Sequence, residues 1–135
     1  MPSEPQYPFK PRSNSLMRPG QFWAIPLADG RFAAGRVMAV PAFGEKDRRG
    51  FVAGLMDWVG VAPPDAEAIA GWQVVAQGKT RINAVTETGG SILGVRPLEL
   101  DALVAIDPSD MSVGSVHPVW GWRTFLNRAE RLAAR

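Results

Sequence analysis

The sequence predicts an α+β fold: a mainly antiparallel, strongly curved β-sheet, or small barrel-like sheet, packed by one C-terminal α-helix. Three observations carry that reading. Two β-compatible apolar runs, within residues 20–40, flank Asp29-Gly30. Asp-Gly between such runs signals a hairpin, because glycine supplies the positive φ of a tight turn. Residues 51–59 (FVAGLMDWV) are apolar almost throughout, as expected of a central strand. From Trp122 onward, apolar residues fall at Trp122, Phe125, Leu126, Ala129, Leu132 and Ala133, the spacing of one helical face.

A chain of 135 residues with 46% hydrophobic and 21% charged residues fits one domain with a real core. We read residues 20–135 as that domain and residues 1–19 as a proline-rich arm. Pro2, Pro5, Pro8 and Pro11 recur at every third position, the period of polyproline II. Such an arm is either a ligand for an aromatic groove or, the stronger reading, an extended or disordered segment on the domain, with Tyr7 and Phe9 as its pins. The absence of cysteine removes disulfides and thiolate chemistry and suits a reducing compartment. With no apolar leader and no run near the roughly 20 residues of a membrane span, the expectation is a cytoplasmic protein. A net charge of +2 makes neither a strong phosphate-backbone binder nor an acidic nucleic-acid mimic.

The elements follow in order. In the first strand Trp23, Ile25 and Leu27 share one face, and Phe22, Ala24 and Pro26 the other. Pro26 has no N–H for a ladder, so this strand is expected at an edge or with a bulge. The small residues Ala33, Ala34 and Gly35 in the second strand admit a large ring or another backbone. Residues 43–50 (FGEKDRRG) read as a charged loop. In the strand 51–59, Asp57 alternates onto the face of Phe51, Ala53 and Leu55, so it needs a partner there unless it ends the strand in solvent. Pro63-Pro64 stops the strand. Asp65 then caps a helical turn through Ala70, with Glu67 near its start and Gly71 at its end. Residues 72–77 and 79–86 read as two strands around Gly78, residues 88–90 as a turn and residues 92–95 as a short strand. Alternation favours a strand near the end of 98–106, and 107–112 is loop by composition. In the last helix Arg131 and Arg135 suit the negative C-terminal end.

Chemistry-bearing motifs are sparse. His117 is the only histidine, and Pro118 after it favours extended backbone, so a structural or surface role outweighs a catalytic one. One histidine without cysteine does not make a transition-metal site. Gly89-Gly90 lacks the G-K-[ST] of a phosphate loop, no G-x-G-x-x-G occurs, and Ser91 and Ser115 lack the G-x-S-x-G context. Glu99 and Asp101 could act as an acid/base pair, though strands commonly present such pairs to water. The expectation is no enzyme, no catalytic residue, no metal and no cofactor. Five tryptophans are mostly core fillers in a domain of this kind, with Trp58 and Trp120 as candidates for one exposed anchor.

The run GQFWAIPLADGRFAAGRV resembles the opening of the immunity protein 26 family, whose pattern reads roughly G-D-x-F-A-I-P-L-P-D-G-x-Y-A-x-G-R-V. Gly20, Ala24, Ile25, Pro26, Leu27, Asp29, Gly30, Gly35, Arg36 and Val37 match. Phe32 stands at an aromatic position and Trp23 at another, while Gln21 replaces the usual acid and Ala28 a common proline. Downstream, GGSILGVRPL at 89–98 is similar to a second family segment, with Ser91 where a tryptophan is expected. The resemblance implies a small bacterial protein encoded beside a polymorphic toxin, which binds and neutralises that toxin.

On that basis the expected partner is a cognate toxin protein, with no membrane and no nucleic acid, and an open oligomeric state. The expected partner-binding residues are Glu45, Asp47, Arg48 and Arg49 of the charged loop, together with Trp58. Solubility alone is the plainer account of that loop, and core packing that of Trp58. The alternative is a small β-rich nucleic-acid-binding module, with Arg31, Arg36, Arg48, Arg49, Lys79 and Arg81 as a basic face and Phe32 and Phe43 as stacking platforms.

Overall fold

The Asp29-Gly30 turn closes the first hairpin of the sheet. In the computed structural model, which describes residues 5–41, 48–106 and 120–135, it joins β1 (Gln21–Pro26) to β2 (Phe32–Ala39). Leu27 N–H donates to the Arg31 carbonyl at 2.9 Å and Gly30 N–H to the Leu27 carbonyl at 3.1 Å. Gly30 has φ +89°, the left-handed residue that closes a three-residue hairpin loop. Asp29 Oδ1 accepts from Arg31 N–H at 3.0 Å, the local side-chain turn that makes aspartate suit this position.

β3 (Gly50–Gly60), β4 (Val74–Arg81) and β5 (Ile92–Val95) complete a five-stranded sheet in the order β4-β3-β2-β1-β5. Every neighbouring pair is antiparallel. The fold is α+β, as expected, but β4 and β5 are separate edges, so the sheet is open and the barrel-like alternative is corrected. β1 is not an edge either. β5 reaches only Gln21, Phe22 and Trp23, with a register shift between the last two, so Pro26 lies beyond its ladder and its missing N–H costs nothing.

Both faces of the sheet are covered. On one, Trp23, Ile25, Ala33, Val37, Phe51, Ala53 and Leu55 pack under α1 (Asn83–Thr86) and α2 (Trp122–Ala133). α2 contributes Phe125, Ala129 and Leu132, all buried, and each large apolar side chain so buried stabilises by about 1.5–3 kcal/mol. On the other face, Phe22, Ala34, Met56 and Trp58 lie under Ile69, and Met38 and Val52 under Leu103. The cover there is irregular chain rather than helix. Asp65 Oδ1 accepts from Ala68 N–H at 2.7 Å, and Gly71, at φ +80°, ends that turn. Asp57 is exposed, in the stretch between Leu55 and Val59 where the pairing of β3 shifts register.

Two strand assignments are corrected. Residues 72–77 and 79–86 are not two strands: β4 runs unbroken through Gly78 and the chain then turns into α1. Gly78 is small because Trp120 lies on it; a Cβ there would sit 2.6 Å from the indole Cδ2 and Cε2. Glycines meet rings in the same way at Gly35 under Trp23 and Gly60 beside Trp58. Residues 98–106 form a 3-10 turn at Leu98–Asp101 with no strand after it. The expected loop at 107–112 and His117 lie outside the described residues.

The N-terminal arm is laid on the β5 edge. Phe9 and Ile92 exchange both backbone hydrogen bonds, at 3.0 and 2.8 Å, so this edge is not left open for another chain. Tyr7 Oη accepts from Gln21 Nε2 at 3.1 Å, and Met17 is 1% exposed in the helix-covered core.

Candidate functional site

Of the residues in the opening motif, Arg36 is the one whose chemistry is least expected where it sits. β2 places it on the loop-covered face, opposite Phe22 on β1 and Gly54 on β3, and it is 0% exposed. One guanidinium nitrogen, Nη2, donates to the Arg96 carbonyl oxygen, and Nη1 lies 3.6 Å from Met56 Sδ. Nε has no partner among the described residues. Burial pushes the guanidinium down to about 10, against the opposing pull of Asp101. Asp101 in turn accepts from Arg96 Nε at 2.7 Å and Nη2 at 3.0 Å, and from Gly71 N–H at 2.8 Å. The Arg96 fork, aided by that backbone donor, lowers the Asp101 carboxyl to about 2. This network ties the irregular covering layer to the sheet: the Arg96 carbonyl joins residues 96–101 to β2, and the Asp101 carboxylate joins them to the end of the Asp65 turn. Asp101 is therefore committed to Arg96 rather than poised beside Glu99 for acid/base work.

The expected binding residues are scattered. Glu45 and Asp47 lie outside the described residues. Arg48 and Arg49 are exposed immediately before β3, and their backbone is fixed on both sides: Asn14 N–H donates to the Arg48 carbonyl at 2.7 Å and Ile82 N–H to that of Arg49 at 2.8 Å. Trp58, expected as an anchor, is 8% exposed in the loop-covered core. There it packs with Phe22, Ala34, Met56 and Ile69, because both faces of the sheet are covered and β3 is interior to it. Trp120, the other candidate, is 4% exposed; Trp72, at 44%, carries the exposed indole.

Of the six cations of the alternative reading, Arg81 pairs Gly50 beside the Arg48-Arg49 step, while two lie elsewhere. Arg36 is interior, and Arg31 is held at the hairpin by Asp29 (2.7 Å) and by the Ala133 carbonyl at the end of α2 (2.9 Å). Glu130 of α2 accepts from Ala28 N–H at 3.0 Å on the same side, so hairpin and helix are clasped there. Phe43 lies outside the described residues.

A different basic feature lies on the opposite flank of α2. Between the C-terminal half of the helix and β4 is a groove of about 180 Å³, lined by Leu55, Val75, Ala76, Leu132, Arg128, Arg131 and Arg135. The local sequence builds it. In β4, Val74 pairs Met56 while Ala76 pairs Leu55, so Val75 is an inserted bulge residue, half-exposed at 45%, that turns the edge outward. Arginines at 128, 131 and 135 follow one another at helical spacing, next to the apolar stripe. Arg128 lies over the Trp120 ring, 5.0 Å from its centroid, which orients its guanidinium. Among the described residues no Asp or Glu lines this groove, and the ion pairs Arg31–Asp29 and Arg96–Asp101 do not involve its arginines. Sequence reading placed Arg131 and Arg135 at the helix end for the dipole and passed over Arg128; the shared helical phase of all three was the signal.

Among the described residues there is no group of three or more His, Cys, Asp or Glu side chains that could hold a metal. No helix among them is long and apolar enough to cross a membrane. Comparison with protein-family models, with curated proteins and with solved structures gives no match.

Proposed function

We propose that this chain is a toxin-neutralising immunity protein, a cytoplasmic binding protein that inhibits a cognate bacterial polymorphic toxin. The observation that carries the proposal is the opening motif, in which several matching residues occupy positions of high structural demand. Gly20 has φ +98° with the Arg96 carbonyl 2.8 Å from where a Cβ would stand. Gly30 closes the hairpin, Gly35 takes the Trp23 ring, and Arg36 is the buried strut to Arg96. A motif of this kind specifies a fold, and the fold leaves recognition to surfaces outside it. Those surfaces here are basic: the Arg48-Arg49 step before β3 and the arginine groove beside α2. Guanidiniums grouped on such surfaces favour fast, charge-steered capture of an acidic partner surface.

The test is co-expression. The toxin gene adjacent to this one is expressed in a cell with and without this chain; survival only with the chain, together with a stable complex at high salt, supports the proposal. Killing that is unchanged by the chain refutes it. Binding of nucleic acid instead, lost as salt rises, would favour the small nucleic-acid-binding module.

A further inference from the structure

We infer that the groove between α2 and β4 is a receptor for an acidic side chain flanked by an aliphatic one on a protein partner. The inference deepens the immunity reading by naming the chemistry of the partner's contact, and rests on that reading for the partner's identity.

Four features of the groove define its occupant. The first is charge: Arg128, Arg131 and Arg135 line one volume with no Asp or Glu among the described residues of its lining. A carboxylate suits such a lining, because the guanidinium fork matches two carboxylate oxygens. The second is the floor: Leu55 and Leu132 are 2% and 7% exposed, and Val75 is 45% exposed at the rim. An aliphatic side chain beside the carboxylate covers Val75. The third is size. About 180 Å³ is below the range of roughly 300–1,000 Å³ that takes a whole small-molecule ligand, and suits one side chain. The fourth is orientation: Arg128 is held over Trp120, so part of the donor array is set before a partner arrives.

These features favour a protein over a nucleic acid. Base recognition on a single strand uses exposed aromatic faces, whereas the groove's nearest ring, Trp120, is 4% exposed and capped by Arg128. The three arginines also line one groove of about 180 Å³, so they offer a single carboxylate local charge rather than an extended phosphate track.

The experiment is fluorescence anisotropy with the full-length chain and a dye-labelled peptide of alternating glutamate and leucine. A peptide with glutamine for glutamate and a single-stranded oligonucleotide of equal charge serve as comparators. Expected is saturable binding of the acidic peptide at about 0.15 M salt, weakened about tenfold or more by glutamine in the peptide or by Arg128→Gln with Arg131→Gln. Arg135→Gln, at the last residue, weakens it without touching the core, and Lys10→Gln with Arg12→Gln, exposed on the arm along the opposite β5 edge, leaves it unchanged. Thermal melting of each variant separates lost binding from lost folding. Equal binding by the folded Arg131→Gln and Arg135→Gln variants, tighter binding of the oligonucleotide, or no binding of the acidic peptide by the native chain overturns the inference. A chain that neutralises its toxin equally well with all three arginines replaced also overturns it, and leaves the immunity reading standing. Peptide binding at the groove in a chain that neutralises no toxin supports it, and removes the immunity reading instead.

Discussion

Replacing Gly35 by alanine adds one methyl group to the middle of the sheet, and the structure says what it meets. The new Cβ would lie 2.5 Å from Trp23 Cε2 and 2.7 Å from Cη2. The indole has no room to retreat: it is 0% exposed, stacked on Phe125 at 5.7 Å and edge-on to Phe51 at 5.9 Å. Nor can β2 withdraw, because Gly35 pairs Trp23 on one side and Leu55 on the other. Overpacking costs about 1–3 kcal/mol, and with both partners pinned the cost falls at the upper end, about 3 kcal/mol. For a chain of this size that lowers the melting temperature by about 10 °C and the urea midpoint by about 1.5 M. The assay is urea unfolding followed by circular dichroism, with Gly30→Ala as comparator. A Cβ at Gly30 meets nothing within 4 Å, so its cost is the left-handed backbone alone, about 1–2 kcal/mol. Trp23→Phe removes the atoms in conflict, so its cost on the Gly35→Ala background is smaller than on the native chain by about 1 kcal/mol or more. A Gly35→Ala midpoint no lower than that of Gly30→Ala, or additivity with Trp23→Phe, would refute the reasoning.

Further outcomes follow from the polar network and the edges. The Asp101 carboxyl is depressed from its ordinary 3.8 to about 2, so the stability it contributes is complete above pH 4 and is lost as pH falls towards 2; Asp101→Asn lowers stability at neutral pH and flattens that acid limb in pH-dependent urea midpoints. Gly30→Val costs about 1 kcal/mol or more through its positive φ, read as a lowered melting temperature. Removing residues 1–12 deprives the Ile92 amide of the Phe9 carbonyl, and its hydrogen exchange by NMR accelerates about tenfold or more. Under the proposed immunity function, Arg48→Glu with Arg49→Glu weakens capture of the partner in a pull-down while leaving the melting temperature within a few degrees, because both side chains are exposed.

Legibility followed the range of the contacts involved. The Asp29-Gly30 hairpin and the Trp122–Ala133 helix are set by neighbours three or four residues apart, and their sequence patterns sufficed. Gly78 misled because a glycine between two apolar runs reads as a turn; its actual reason, the Trp120 ring, is distant in sequence. Residues 83–86 (NAVT) carry β-branched side chains that favour a strand, yet Ala84 and Val85 are 0% exposed and packing made them helical. Trp58 could not be placed, since alternation tells which residues share a face but not whether that face is covered. The second cover, made of irregular chain, has no periodicity to detect. Arg36 was legible as a motif residue but not as a buried one, because its carbonyl partner on Arg96 is a backbone atom that any residue could supply.

The three tryptophans laid on glycines, Trp23 on Gly35, Trp58 on Gly60 and Trp120 on Gly78, carry a consequence for how this sequence can change over time. A side chain gained at any of these glycines is tolerated only after its ring has shrunk, and a shrunken ring leaves a hole that only the gained side chain fills. Each step alone is unfavourable, so drift passes through paired replacement. Relatives too divergent to align by identity would still show large-with-small exchange at these three pairs of columns, and that covariation would identify them.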